Sequence, residues 1–230
     1  MTSFPSIQRW HGGCSASGPE DLAMGKALAA WIMMAGAVAA PAMGPRDTVE
    51  TAVTRVIALL QDIDDASTAP AKQQADRRME IRKVARDLFD FEEVTRRTLS
   101  RHWAARSPEE RAEFVALFTD LLERSYVNRV EAYAGENISY LGEAVDAGFA
   151  TVRSRVTTQR RTEIALDYRL HLRDGRWRIY DLQIDGVSFV STYRSQFDRI
   201  IQSESYTALL ERMRKKSFEA TVAERGGKKL

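Results

Sequence analysis

The spacing of the apolar residues changes near residue 136, and this change constrains the fold more than any other feature of the chain. From Phe114 to Val130 the apolar residues follow the spacing of one face of an α-helix. From Ile164 to Leu172 every second residue is apolar, as in a strand with one buried face. Helical spacing returns after residue 188. The sequence therefore predicts an α+β fold, in which a block of strands lies between two groups of helices.

Short turns join four predicted strands in this block. The strands cover residues 137–145, 149–158, 162–173 and 176–185. Asp174-Gly175 has the length and composition of a two-residue hairpin turn, because both residue types accept positive φ angles. Strands connected in this way form an antiparallel sheet with one apolar face. Amphipathic helices before and after the sheet are the elements available to cover that face.

The fourth predicted strand breaks the alternation of apolar and polar residues. Trp177 and Ile179 share one parity, whereas Tyr180, Leu182 and Ile184 share the other. A strand with uniform pleating cannot place all five side chains on one face. The sequence therefore predicts either a β-bulge in this strand or a strand that is covered on both faces.

Helix starts are marked by capping residues. Ser107, Pro108 and Glu110 have the N-cap, N1 and N3 residue types of a capping box, and they precede a long apolar stripe. Asp90 and Glu93 form a similar signal before the preceding helix. Ser188 is placed to cap the helix after the sheet, and a last helix is expected over residues 204–218.

The N-terminal segment has the layout of a secretory signal peptide. Lys26 precedes the uncharged apolar run 27–40, and Ala40-Pro-Ala42 resembles a cleavage site. We expect residues 1–42 to be a signal peptide, with Met24 as an alternative start, and an uncleaved anchor is the alternative reading. The mature domain is then residues 43–218, followed by a polar tail, 219–230, that we expect to be disordered. Cys14 is the only cysteine, so the mature part forms no disulfide.

Catalytic and metal-binding motifs are scarce in the sequence. Ser188 lies in a Gly-x-Ser turn, but Val190 replaces the second glycine of a nucleophile elbow. The mature part contains only two histidines, His102 and His171, so a serine hydrolase that uses Ser188 is a weak alternative. No cysteine or HExxH spacing supplies a metal site, and we predict none. A formal net charge of +2 argues against nucleic-acid binding.

Two segments of the chain carry a family resemblance. The first runs from Leu99-Ser100-Arg-His-Trp103 through the helix of residues 107–126. The second runs from Trp177 to Phe197 and carries eight residues at family-specific spacings, which we call the spaced set. They are Trp177, Asp181, Gly186, Val187, Ser188, Tyr193, Arg194 and Phe197. In these positions the chain resembles the MlaC family of periplasmic phospholipid-binding proteins, which are also known as toluene-tolerance proteins. Ser100 departs from the family's usual glycine.

The resemblance implies a carrier rather than an enzyme. It implies a periplasmic protein that holds a phospholipid as cargo, without a cofactor, and that maintains outer-membrane lipid asymmetry. The implied partners are an inner-membrane ABC transporter with an MCE subunit and an outer-membrane lipoprotein–porin complex. The implied fold is a curved, four-stranded antiparallel sheet covered by helices, NTF2-like in appearance, around an apolar cavity. A hopanoid-associated branch of the family is an alternative, and the resemblance specifies neither the headgroup nor the direction of transport.

The resemblance also turns the apolar residues into candidates for lipid contact, although periodicity does not separate cavity wall from ordinary core. The candidates on the strands are Val152, Val156, Ile164, Leu166, Tyr168, Leu170, Tyr180, Leu182 and Ile184. Those on the helices are Phe89, Phe114, Phe118 and Leu121.

The segment Asp185–Phe197 is expected to join the sheet to the next helix. Gly186 permits the turn, Val187 is predicted to point to the core, and Tyr193 and Phe197 to pack the helix onto apolar surface. For Arg194 two alternatives remain: an ion pair with Asp181 or Asp185, or a contact with a partner or headgroup.

Overall fold

The computed structural model of the protein describes residues 43–61, 70–133 and 135–215. The predicted signal peptide, residues 1–42, and the predicted tail, residues 219–230, lie outside the described residues. Six α-helices are described: α1 (Pro45–Gln61), α2 (Ala71–Leu88), α3 (Phe91–Leu99), α4 (Pro108–Glu131), α5 (Phe189–Ser203) and α6 (Tyr206–Arg214). Five strands are described: β1 (Asn137–Asp146), β2 (Phe149–Thr157), β3 (Glu163–Arg173), β4 (Arg176–Ile184) and β5 (Val187–Ser188). The α+β class is confirmed, and no helix in these ranges is long and apolar enough to cross a bilayer.

Local hydrogen bonds fix the helix starts that the sequence indicates. The Ser107 hydroxyl accepts from the Glu110 amide at 3.2 Å, and the Glu110 carboxylate accepts from the Ser107 amide at 2.8 Å. This reciprocal pair is the predicted capping box of α4. The Asp90 carboxylate accepts from the Glu93 amide at 3.0 Å and thereby caps α3. Both predictions are confirmed.

The five strands form one antiparallel sheet in the order β1-β2-β3-β4-β5. The turn between β3 and β4 is Asp174-Gly175, with φ angles of 52° and 73°. The turn between β4 and β5 is Asp185-Gly186, with φ angles of 49° and 79°. Two consecutive positive φ angles define the hairpin turn that matches the twist of antiparallel strands. The second of these turns produces β5, which extends the predicted four-stranded sheet by one short strand.

A β-bulge in β4 explains the broken alternation of this strand. The register shifts so that Arg169 opposes Asp181 while Leu170 opposes Ile179, which leaves Tyr180 as the extra residue. Because of this extra residue, Ile179 and Leu182 lie on the same face of the sheet although three positions separate them. Of the two alternatives that the sequence left open, the bulge is therefore present, and Tyr180 is its extra residue.

The buried side chains form two separate clusters. The helical core is built by α3, α4, α5 and α6 together with residues beside them, and it contains no residue of β1–β4. Its buried members are Val94, Leu99, Phe114, Phe118, Leu121, Leu122, Val190, Tyr193, Phe197, Leu209, Leu210 and Met213. The sheet core joins α1 and α2 to β2, β3 and β4. Its buried members are Val49, Leu88, Ala150, Val152, Tyr168, Leu170, Trp177 and Ile179.

Candidate functional site

One face of the sheet collects eight of the nine strand residues that the sequence analysis proposed. Strand pairing places Val156 opposite Ile164, Leu166 opposite Ile184, and Tyr168 opposite Leu182. Directly paired residues share a face, and so do residues two positions apart on one strand. Val152 and Leu170 belong to the same set by this rule. We call this set the apolar face: Val152, Val156, Ile164, Leu166, Tyr168, Leu170, Leu182 and Ile184.

The two ends of the apolar face differ in how well the described helices cover them. Val152 and Leu170 are fully buried in the sheet core, where Val49 of α1 also packs. We call this the closed end. Val156, Ile164 and Ile184 are only partly buried and belong to neither core cluster. With Leu166 and Leu182, which are partly buried at the margin of the sheet core, they form the open end.

The polar side chains on this side of the sheet include three hydroxyl groups, those of Tyr140, Ser154 and Tyr168. Burial raises the pKa of Tyr168 to about 12, against the opposing effect of its hydrogen bond with Ser154. Burial, with the nearby Tyr168 and Glu50, also raises the pKa of Tyr140. The Ser154 hydroxyl donates to the Leu166 carbonyl oxygen at 2.9 Å. Both tyrosines are therefore neutral at physiological pH, which suits a face that contacts hydrocarbon.

Tyr180 is a correction to the candidate set, because the bulge turns its side chain away from the apolar face. Its ring makes edge contacts with Phe149 and His171, at centroid distances of 6.0 Å and 5.8 Å. The Arg97 guanidinium lies over the same ring, 4.0 Å from its centroid. These three residues place Tyr180 on the opposite face, so the prediction that it lines a wall with Leu182 is wrong.

The helical candidates lie in two different places. Phe114, Phe118 and Leu121 belong to the helical core, and Phe118 contacts Tyr193 and Phe197 at centroid distances of 5.0 Å and 5.1 Å. They are packed core, so the structure favours ordinary core over cavity wall, the two roles that the sequence left open for them. Phe89 does pack against the sheet core, and its backbone forms a parallel bridge with Ile179.

Ser188 is committed to structural hydrogen bonds. Its hydroxyl donates to the Asp181 carboxylate at 2.7 Å and accepts from the Ser191 amide at 3.0 Å. The Asp181 carboxylate, which is buried, also accepts from the Val190 amide at 3.0 Å. Ser188 and Asp181 together cap the N-terminus of α5. The predicted cap is confirmed, and no histidine among the described residues contacts Ser188.

Two details of this junction differ from the prediction. Val187 has 44% of its surface exposed, so it does not point to the core. It pairs with Ile184 and so lies on the side of the sheet that carries the apolar face, beside the open end, where the described helices leave it uncovered. Arg194 forms no ion pair with Asp181 or Asp185 in the described structure; its guanidinium donates to the Ser191 hydroxyl at 2.8 Å.

The remaining residues of the spaced set are structural. Tyr193 and Phe197 are fully buried in the helical core, as predicted. Trp177 is buried in the sheet core. Trp103 is partly buried against the helical core, with the Arg111 guanidinium 5.3 Å from its ring centroid. The sequence motif therefore marks residues that build the two cores and the junction between them.

Two polar clefts were not predicted. The first, of about 540 Å³, is lined by arginines of α3, β3 and α5, and the second, of about 340 Å³, surrounds the buried Asp90. The Asp90 carboxylate lies 3.0 Å from His171 Nε2 and 2.9 Å from Arg173 Nη1. Neither cleft is the apolar cavity that the resemblance implies. No local motif indicates them, because their residues come together from distant parts of the chain.

Among the described residues, no cluster of histidine and carboxylate side chains could hold a metal ion.

Comparison with known proteins agrees with the fold. The sequence pattern of one family, described as "MlaC protein", matches residues 52–215. The solved structure of a phospholipid-binding protein from Ralstonia solanacearum, in complex with a phospholipid, superposes with a TM-score of 0.66 at 24% sequence identity. The match covers 75% of this chain and 96% of that one. Because the family pattern spans most of the described residues, the chain belongs to the MlaC family.

Proposed function

We propose that this protein binds a phospholipid and that the acyl chains lie against the open end of the apolar face. The observation that carries the proposal is the partial burial of Val156, Ile164 and Ile184, which belong to neither core cluster. A sheet normally buries its apolar face completely against other elements. Membership of the MlaC family and the phospholipid held by the Ralstonia solanacearum protein support the same ligand class.

Energetics favours a carrier over a tight receptor for free lipid. Removing two chains of about 15 methylenes each from water gives a gross gain near ~24 kcal/mol, at about 0.8 kcal/mol per methylene. This exceeds the practical ceiling for non-covalent binding, which lies near ~18–21 kcal/mol. Lipid in a bilayer is already out of water, however. The protein therefore needs only to match the membrane, and the exchange of lipid between the two is close to isoenergetic.

We extend the proposal to transport across the periplasm. The protein would carry phospholipid between an outer-membrane lipoprotein–porin complex and an inner-membrane ABC transporter with an MCE subunit, in support of outer-membrane lipid asymmetry. Export through the predicted signal peptide of residues 1–42 would deliver it to that compartment. A carrier needs no catalytic group, which agrees with the structural role of Ser188.

A hopanoid is the second candidate for the cargo. The side chains of the open end are all aliphatic, so this surface selects for hydrocarbon and not for a headgroup. A rigid, fused-ring lipid meets that requirement as well as two acyl chains do. The two ligands therefore have to be distinguished by experiment.

Lipid analysis tests the proposal directly. We expect an approximately equimolar phospholipid in organic extracts of natively purified protein, identified by mass spectrometry. Leu166→Asp and Ile164→Asp place a charge on the open end and should abolish lipid retention. Leu141→Asp is the matched control, because Leu141 on β1 is 58% exposed and lies outside the apolar face.

Four outcomes would contradict the proposal or change it. Extracts without stoichiometric lipid would remove the carrier function, and a stoichiometric hopanoid would replace the ligand. Lipid retention by both apolar-face variants, each shown to be folded by circular dichroism, would move the binding site elsewhere. Ester hydrolysis by the wild type that Ser188→Ala abolishes would favour the hydrolase alternative.

A further inference from the structure

We propose that the first polar cleft, which we call the arginine cleft, is a second binding site that recognises a phosphate group. It lies between α3, the β3–β4 strand pair and the N-terminal half of α5, and its volume is about 540 Å³. Its charged lining residues are Arg96, Arg97, Arg169, Arg194 and Asp181. No residue of the apolar face lines it. The site is therefore separate from the surface proposed to hold acyl chains.

The arginines of the cleft are incompletely neutralised. Arg96 and Arg97 share a single carboxylate, that of Glu93, at 2.6 Å and 2.7 Å. Arg169 approaches the Asp181 carboxylate only to 3.9 Å. Arg194 is exposed and has no carboxylate partner among the described residues. The positive charges of four guanidinium groups are thus balanced by only two carboxylates, those of Glu93 and Asp181.

Two carboxylates on or beside α5, those of Asp181 and Asp198, already have partners. Asp181 accepts hydrogen bonds from Ser188 and Val190, so its charge compensates the N-terminus of α5. Asp198 lies one turn beyond Arg194 but binds Arg101 at 2.6 Å and His102 at 2.8 Å instead. An anion from outside the chain is therefore the charge that this cleft lacks.

Several of the guanidinium groups are held in place before any ligand arrives. Arg97 stacks on the Tyr180 ring at 4.0 Å. The Gln183 amide, with its oxygen toward Arg169, accepts from Nη2 at 2.7 Å and from Nε at 3.3 Å. The Ser191 hydroxyl accepts from Arg194 at 2.8 Å. Planar guanidinium groups fixed in this way match the oxygens of a phosphate in pairs.

The ligand that this chemistry fits is a phosphate group, either free or in the headgroup of a phospholipid. The volume falls in the range of small-ligand sites, and the polar lining does not suit an acyl chain. Two probes without acyl chains distinguish the sources. Inorganic phosphate represents the free ion, and glycerophosphoglycerol represents a deacylated headgroup.

Calorimetric titration of the two probes tests the proposal in wild type, Arg194→Ala and Arg199→Ala. Arg199 is the matched control, because it is exposed on the same helix and makes no side-chain hydrogen bond or salt bridge in the described structure. We expect saturable binding of at least one probe by wild type, weakened by salt. Arg194→Ala should lower the affinity about tenfold or more, whereas Arg199→Ala should leave it nearly unchanged.

The pattern of binding identifies the source of the phosphate. Binding of both probes assigns the cleft to phosphate in general, and binding of glycerophosphoglycerol alone assigns it to a headgroup. No saturable binding of either probe by wild type would overturn the proposal, as would equal affinities of the Arg194→Ala and Arg199→Ala variants. Because neither probe has an acyl chain, these outcomes are independent of whether the apolar face holds lipid.

Discussion

The helical core and the apolar face of the sheet are both built from large apolar side chains, yet they are packed differently. In the helical core, Phe114, Phe118, Tyr193 and Phe197 are all fully buried, and their rings contact one another at centroid distances of 5.0–6.2 Å. On the apolar face, burial is complete at the closed end and partial at the open end. The first region is therefore buried like an ordinary protein interior, and part of the second is not.

This difference indicates that the helical half, α3–α6, and the sheet half, β1–β5 with α1 and α2, have different roles. Close packing of rings stabilises the helical half but leaves no room for a ligand. The open end of the sheet contributes less to folding, because its side chains remain in partial contact with water. Asp181 and Ser188 join the halves, since they link β4 to the start of α5. The following variants separate stability from lipid binding.

Phe118→Ala should have the largest effect on stability. Phe118 is fully buried and contacts three aromatic rings, so the substitution leaves a cavity in the helical core. We expect the free energy of unfolding to fall by about 3–5 kcal/mol, measured by urea denaturation. Phe149→Ala is the control, because Phe149 is 47% exposed, and it should cost less than about 1 kcal/mol. Equal losses would show that the helical core is not the better-packed region.

Asp181→Ala should weaken the junction between the halves. The substitution leaves the Ser188 hydroxyl and the buried Val190 amide without their acceptor. We expect a loss of about 2–3 kcal/mol in the free energy of unfolding, measured in the same way. Asp146→Ala, at an exposed strand end, should cost less than about 0.5 kcal/mol. A change no larger than that of the control would mean that the junction does not couple the halves.

Asp90 should make stability depend on acid pH. Burial alone would raise the pKa of Asp90, but the Glu93 amide, Arg173 and His171 together lower it below its ordinary value. Because the carboxyl pKa is lower in the folded state, this contribution is complete above the unfolded pKa near 3.8 and is lost as the pH falls through the folded pKa. Asp90→Asn should therefore lower the free energy of unfolding by about 2 kcal/mol at neutral pH. The free energy of unfolding of this variant should then fall less steeply as the pH is lowered.

Urea denaturation from about pH 2 to about pH 7 checks this dependence. Asp174→Asn serves as the control, because the Asp174 side chain is 93% exposed and asparagine suits its turn. The control should follow the wild-type pH profile. An unchanged acid slope in Asp90→Asn would assign the pH dependence to other carboxylates.

Ile164→Ala should have the smallest effect on stability and a clear effect on lipid. Ile164 is only partly buried at the open end, so we expect a cost of about 1 kcal/mol. Val152→Ala, at the fully buried closed end, should cost about 2 kcal/mol but spare lipid retention. Mass spectrometry of co-purified lipid measures the second quantity. The opposite pattern, with lipid lost only in Val152→Ala, would place the lipid at the closed end instead of the open end.

Features that depend on neighbouring residues could be predicted from the sequence. The capping box of Ser107 and Glu110, the Asp174-Gly175 turn and the Ser188 cap each involve residues within a few positions of one another. The alternation in β3 likewise predicted a shared face that strand pairing confirms. These features follow from backbone geometry that local residue types determine.

Features that depend on layers or distant contacts could not be predicted in the same way. Helical spacing identifies the inner stripe of α4 but not the element that packs against it, and so Phe114 and Phe118 were candidates for lipid contact although they lie in the helical core. The bulge was expected, but only strand pairing identifies Tyr180 as its extra residue. Asp90 and His171 are 81 positions apart, and no periodic pattern connects them.

The extra residue in β4 has a consequence for how this chain can change in evolution. Trp177 and Ile179 before it and Leu182 and Ile184 after it lie on the same face because the bulge accommodates Tyr180 as an extra residue. Without Tyr180, Ile179 and Leu182 would be two positions apart, and a regular strand without a bulge would keep all four side chains on that face. Loss of Tyr180 would instead remove the ring that contacts Phe149, His171 and Arg97 on the opposite face. We expect homologous genes to tolerate loss of this extra residue more readily than a polar substitution of the apolar residues on either side of it.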